Sequence, residues 1–200
     1  MSWRRPILSA LIALLACMAL AGCGRALPEA YETALDDWTR EARSWENMES
    51  RIHVRATLKT QAFREAYVGA YAEIFDLDAA GRDELMAAEE AEASRDYVLL
   101  VTLYTPETSW SRLSPQYGVW EVRLQSQSGR AERPRAVRAL NTNNPTWKRL
   151  LPHLSPHESL FALHFSRTNE EGLPLAVPGD TIELVIAGAP AKVRLAWKLP

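Results

Sequence analysis

Apolar and polar positions along the chain change rhythm several times, and each rhythm predicts an element. Tyr31, Leu35, Trp38, Ala42, Trp45 and Met48 recur every three or four residues, which predicts one helix from Pro28 to about Asn47. Arg51–Lys59 alternates instead: Ile52, Val54, Ala56 and Leu58 point one way, and Arg51, His53, Arg55, Thr57 and Lys59 the other. That is a half-buried strand whose polar side, His53 included, is expected to face water. Gln61–Asp76 returns to helical spacing through Phe63, Ala66, Tyr67, Ala70, Tyr71 and Ile74. Gly81 reads as an interruption, and Asp83–Arg95 as a second helix whose acidic run (Glu84, Glu89, Glu90, Glu92) is expected to be solvated.

Tyr97–Tyr104 is apolar on both alternations and predicts a strand buried on both faces. Beyond it, prolines punctuate short runs. Strands are predicted over Val119–Gln125, Ala136–Leu140, Leu160–Ser166, Thr181–Ala187 and Lys192–Lys198, with Gly188-Ala189-Pro190 turning the last hairpin. Trp147–Leu151 predicts a single helical turn ended by Pro152. Helices early and strands late predict an α+β domain: an antiparallel sheet or sandwich, immunoglobulin-like in its C-terminal half, with helices packed on it.

The first 22 residues stand apart from this pattern. Arg4 and Arg5 precede an uncharged run of sixteen residues, Ile7–Gly22. The run is shorter than the roughly 20 residues that cross a bilayer comfortably. A positive start, an apolar middle and small residues at the end make a secretory signal peptide. Leu20-Ala21-Gly22-Cys23 resembles the lipobox of bacterial lipoproteins. The resemblance implies that Cys23 carries diacylglycerol on its sulfur, that the signal is cut before it, and that its new amino group is acylated. Two or three chains anchor far more firmly than one. Gly24, where such lipoproteins carry Asp for retention in the inner membrane, implies the outer membrane, facing the periplasm. The resemblance covers only the first two dozen residues. It divides the chain into a signal peptide (1–22), a short tether (23–28) and one domain (29–200).

Composition narrows the function. Of 200 residues, 24 % are charged and the net charge is −2; removing Arg4 and Arg5 with the signal takes it to −4. That balance excludes general nucleic-acid binding, which needs a basic field. Of the two cysteines, Cys17 leaves with the signal and Cys23 takes lipid, so no disulfide or thiolate chemistry remains. His153 and His157 are four apart, but Pro152 and Pro156 break the helix that would align them, and no third ligand is specified. No catalytic motif or phosphate-binding loop occurs, and no cofactor or metal is expected. The candidate contact residues are Arg130, Arg133, Arg135 and Arg138, whose guanidinium forks suit anionic groups, with Trp110 and Tyr117 from the loop before Val119. The expected role is a non-catalytic, lipid-anchored envelope protein that binds a protein or glycan. A carrier of an apolar ligand held among Trp38, Trp45, Tyr67 and Tyr71 is the first alternative. An envelope enzyme using His153, His157 or His164 with a carboxylate is the second.

Overall fold

The computed structural model describes residues 26–114 and 118–200. The segment expected to be a signal peptide, Cys23 and Tyr117 therefore lie outside the described residues. In chain order the elements are α1 (Glu29–Trp38), β1 (Thr39–Glu46), β2 (Glu49–Leu58), α2 (Gln61–Phe75), α3 (Ala79–Ala93), β3 (Asp96–Tyr104), β4 (Trp120–Ser126), β5 (Ala131–Glu132), β6 (Ala136–Leu140), α4 (Pro145–Leu150), β7 (Ser159–Ser166), β8 (Thr181–Gly188) and β9 (Lys192–Lys198).

The strands form two antiparallel sheets, ordered β1-β2-β3-β7-β6 and β5-β4-β8-β9. Between them lies the main core: Val54, Leu99, Val101, Leu163 and Phe165 from one sheet meet Trp120, Leu124, Ile182, Leu184 and Trp197 from the other. The helices cover the outer face of the first sheet, where Tyr31, Leu35, Phe63, Tyr67, Leu150, Leu151 and Leu160 make a second core. This second core is why β3 is apolar on both alternations: it is buried along almost its whole length, with a layer on each face. The fold is thus α+β, a sandwich with helices on one face. The sandwich draws strands from both halves of the chain, not from the C-terminal half alone.

The helix expected over Pro28–Asn47 is half helix and half strand. α1 ends at Trp38, and Thr39 adopts extended backbone (φ −93°, ψ 137°). Thr39–Glu46 then pairs along β2, with Ala42 opposite Val54 and the Thr39 and Thr57 hydroxyls 2.8 Å apart. The apolar residues of this stretch, Ala42 and Trp45, are three apart as on a helix, and the ladder with β2 overrides that spacing. The expected interruption at Gly81 lies instead within the first turn of α3, whose N-terminus is capped by Asp78 through the Gly81 N–H at 2.8 Å. The break comes earlier, at Asp76 in left-handed conformation (φ 55°). Thr60 caps α2 in the same way, accepting from the Phe63 N–H at 3.3 Å.

Candidate functional site

The arginine segment does not form one surface, because the chain changes sheets within it. Ala131 and Glu132 pair with Gln125 and Leu124 of β4, whereas Ala136–Leu140 pairs with β7 in the other sheet. Arg130 donates to the Pro174 carbonyl at 2.6 Å. Arg133 reaches Glu121 at 3.0 Å. Arg135 binds the buried Asp96 carboxylate at 2.6 Å. Arg138 is exposed on β6. Three of the four guanidinium groups are thus held by partners within the chain, on different parts of the fold. Trp110 packs against the main core, and its carbonyl accepts the Trp120 indole N–H at 2.7 Å. It caps the core rather than standing free.

The crossover nevertheless builds a site. After Leu124 the chain of β5 leaves β4, so among the described residues Trp120–Arg123 have no partner strand on that side. Ser126 N–H points to Arg130 on this side and Gln127 N–H to Thr181 of β8 on the other. The same alternation aims the Trp120 and Val122 N–H groups at the open side. Beside this edge lies a cleft of about 370 Å³, with Leu113, Trp120, Val122, Pro134 and Val137 as its apolar lining and Glu121 and Arg133 at its rim. Gly188 forms part of its wall, and a Cβ there would come within 2.1 Å of the Val119 carbonyl, so the close approach of these strands needs glycine. Of the expected contact residues, Arg133 lies in this cleft, and Trp110 holds one wall of it through Trp120.

A second cleft, of about 530 Å³ and lined by more charged side chains, was not legible beforehand. It is lined by Leu27, Glu32, Leu35, Asp36, Arg40, Glu41, Arg55 and His153, among others. Glu41 accepts from the Arg55 Nε at 2.7 Å and lies 2.6 Å from Arg43 and 3.1 Å from His53 Nε2. Arg55 Nη1 reaches the Glu158 carboxylate at 3.3 Å and the His153 carbonyl at 3.4 Å. Glu158, itself buried, accepts the Ser155 N–H at 2.8 Å. Burial raises the Glu41 carboxyl, but the Arg55 hydrogen bond and charge, with His53 and Arg43, outweigh it and hold it below the usual range. Burial and then the Arg55 charge push both His53 and His153 down, so both are neutral at pH 7. His53 is half-buried, not facing water as its strand phase suggested. This cluster ties β1 and β2 to the loop before β7. Its charges answer one another, so it is a clasp rather than an open site.

The acidic run divides. Glu84 and Glu90 are exposed, whereas Glu89 and Glu92 join Lys59 and the fully buried Arg64. Lys59 Nζ lies 2.8 Å from Glu89 and 2.9 Å from Glu92. Arg64 Nη1 bonds Glu89 and, at 2.8 Å, Glu92, while Arg64 Nε reaches the Lys59 carbonyl at 3.1 Å. His164 Nδ1 sits 3.6 Å from Asp96 and 3.8 Å from Glu92. Burial pushes His164 down despite these two carboxylates.

His153, His157 and His164 do not converge: His153 is in the second cleft, His157 is exposed, and His164 is buried beside α3. Among the described residues no three His, Cys, Asp or Glu side chains are grouped to hold a metal ion. Trp38, Trp45, Tyr67 and Tyr71 do not enclose a common space: Tyr67 stacks on Phe63 and packs against Tyr71, while Trp45 is exposed on β1. No helix among the described residues is long and apolar enough to cross a membrane. No protein-family model matches the sequence, and no curated protein matches it.

Proposed function

We propose that the protein is a lipid-anchored envelope protein, held through Cys23, that binds an extended segment of another envelope protein by adding it as a strand to the free edge of β4. The observation that carries this reading is the side of Trp120–Arg123 that no described strand pairs, beside a cleft with apolar side chains in its lining. Free N–H and C=O groups on an edge give main-chain affinity, and a flanking pocket selects alternate side chains. The lining asks for small or branched apolar side chains. Arg133 and Glu121 at the rim are paired with each other at 3.0 Å, which leaves the apolar lining as the selective part of the cleft. The lipobox supports the anchor, and in the second cleft the Glu41–Arg55–Glu158 ion pairs leave Arg55 less suited to receive a ligand.

The test is in-cell photo-crosslinking from position Val119, which is 40 % exposed beside the cleft. One protein adduct is expected. It is lost when Val137→Glu places a charge in the lining and retained when the distant Gln127 is changed to Glu. Adducts that ignore Val137→Glu, or a glycan adduct, contradict strand addition. Intact mass of the purified protein tests the anchor separately: acyl chains on Cys23 are expected, and an unmodified thiol contradicts them.

A further inference from the structure

Among the described residues, the two most exposed large apolar side chains both belong to the β1–β2 hairpin. Trp45 is 59 % exposed and Met48, at the turn, 95 %. The turn residues Asn47 and Met48 have φ of 50° and 67°. Asn tolerates that conformation; methionine is strained there, and glycine would be the unstrained choice at its position. The charges around the tip are compensated within the hairpin: Arg51 lies 2.8 Å from Glu46 and 3.8 Å from Glu49, and Arg43 lies 2.6 Å from Glu41. The tip therefore offers apolar surface flanked by little net charge.

The direction of the hairpin gives this surface a partner. β3 ends at Tyr104, opposite His53, and β7 begins at Ser159, opposite Leu103. Glu49–Ile52 has no partner on β3, so with Ser44–Glu46 it overhangs this end of the sheet by four residues. At ~3.3 Å per residue the overhang is roughly 13 Å. The described chain begins beside the loop that leads to this end. Leu27 shares the second cleft with Pro152 and His153, and the loop containing them runs directly into Ser159. Cys23 lies four residues before Leu27, a reach of at most about 14 Å when fully extended.

We infer that the β1–β2 hairpin is a second membrane contact, with Trp45 and Met48 seated in the interfacial layer of the bilayer that holds the acylated Cys23. This rests on the lipid-anchor reading. A tether of that length holds the domain against the bilayer with the anchored end down, and the hairpin projects from that end. Tryptophan prefers the headgroup level, where its ring is buried and its N–H stays wet. Methionine adapts to the disordered acyl boundary. The contact fixes the orientation of the domain, which a flexible tether alone would leave free.

The experiment uses the full acylated chain reconstituted into phosphatidylethanolamine–phosphatidylglycerol vesicles. An environment-sensitive dye is placed at Glu49→Cys beside the tip or at Gln127→Cys on the β4–β5 turn, acylation having removed the Cys23 thiol. Blue-shifted emission, quenched by nitroxides on the acyl chains, is expected at position 49 and absent at 127. It is lost in Trp45→Ser/Met48→Ser, while unfolding of that variant stays cooperative and its acylation complete. Aqueous emission at position 49 in protein whose mass confirms the acyl chains overturns the hairpin contact alone. An unmodified Cys23 overturns the anchor reading and this inference together.

Discussion

Arg64 is the most deeply buried charge among the described residues, with none of its surface exposed. It pins α2 to α3 through Glu89 and Glu92, and Lys59 binds the same two carboxylates from the end of β2. Burial raises the Glu92 carboxyl, but Lys59 and Arg64 outweigh that and leave it ionised at neutral pH. Removing one partner of such a cluster leaves an uncompensated charge, which costs more than the intact pair contributes. Arg64→Ala is therefore expected to lower the unfolding free energy by about 3–5 kcal/mol. Urea denaturation measures it, and an unchanged midpoint contradicts the role given to this residue. Neither Arg64 nor its partners stood out in the sequence. Arg64 sits one position from Phe63 on a helix with an apolar stripe, and the acidic run resembled a solvated face. Only the packing of α3 beside α2 and β3 brings the two together.

At the scale of elements, strands and helices with a single strong period were legible: β2, α2, β3, β8 and β9 lie within a residue or two of their expected bounds. α1–β1 was not, because Ala42 and Trp45 keep the helical spacing of α1 and only pairing with β2 makes Thr39–Glu46 a strand. That one misreading hid two features. Placed on a helix, Trp45 and Met48 became core residues, and Glu41 was separated from Arg55, its register partner. The arginine segment misled for a related reason. Its four arginines are close in sequence, but a strand that leaves one sheet for the other spreads them over the fold. The cleft that this crossing opens was invisible without pairing information. The hairpin also yields a prediction. Met48→Gly removes the strain of a left-handed methionine and is expected to raise stability by about 1 kcal/mol. Thermal unfolding checks it, and a loss of stability would mean that Met48 makes contacts that outweigh its backbone cost.

For the whole molecule, buried neutral histidines and paired carboxylates act in one direction with pH. His53, His153 and His164 all lie below their ordinary value of 6.5 in the folded protein. The unfolded chain binds their protons first as pH falls, so their contribution is complete above about 6.5 and declines below it until the folded values are passed. Glu41 and Glu92, held below 4.5, extend the decline at lower pH. The urea midpoint is expected to fall between pH 7.5 and 5.5. A His53→Gln/His153→Gln variant should show a shallower fall, and an equal slope contradicts the assignment.

The edge of β4 that no described strand pairs is the feature on which the binding role depends, and amide hydrogen exchange of the isolated protein reads it directly. The Glu121 and Arg123 N–H groups face β8 and are expected to exchange slowly, while those of Trp120 and Val122 face the open side and exchange orders of magnitude faster. Equal protection of both sets in the isolated protein would mean that the chain already closes this edge itself, and the proposed strand-accepting site would not exist.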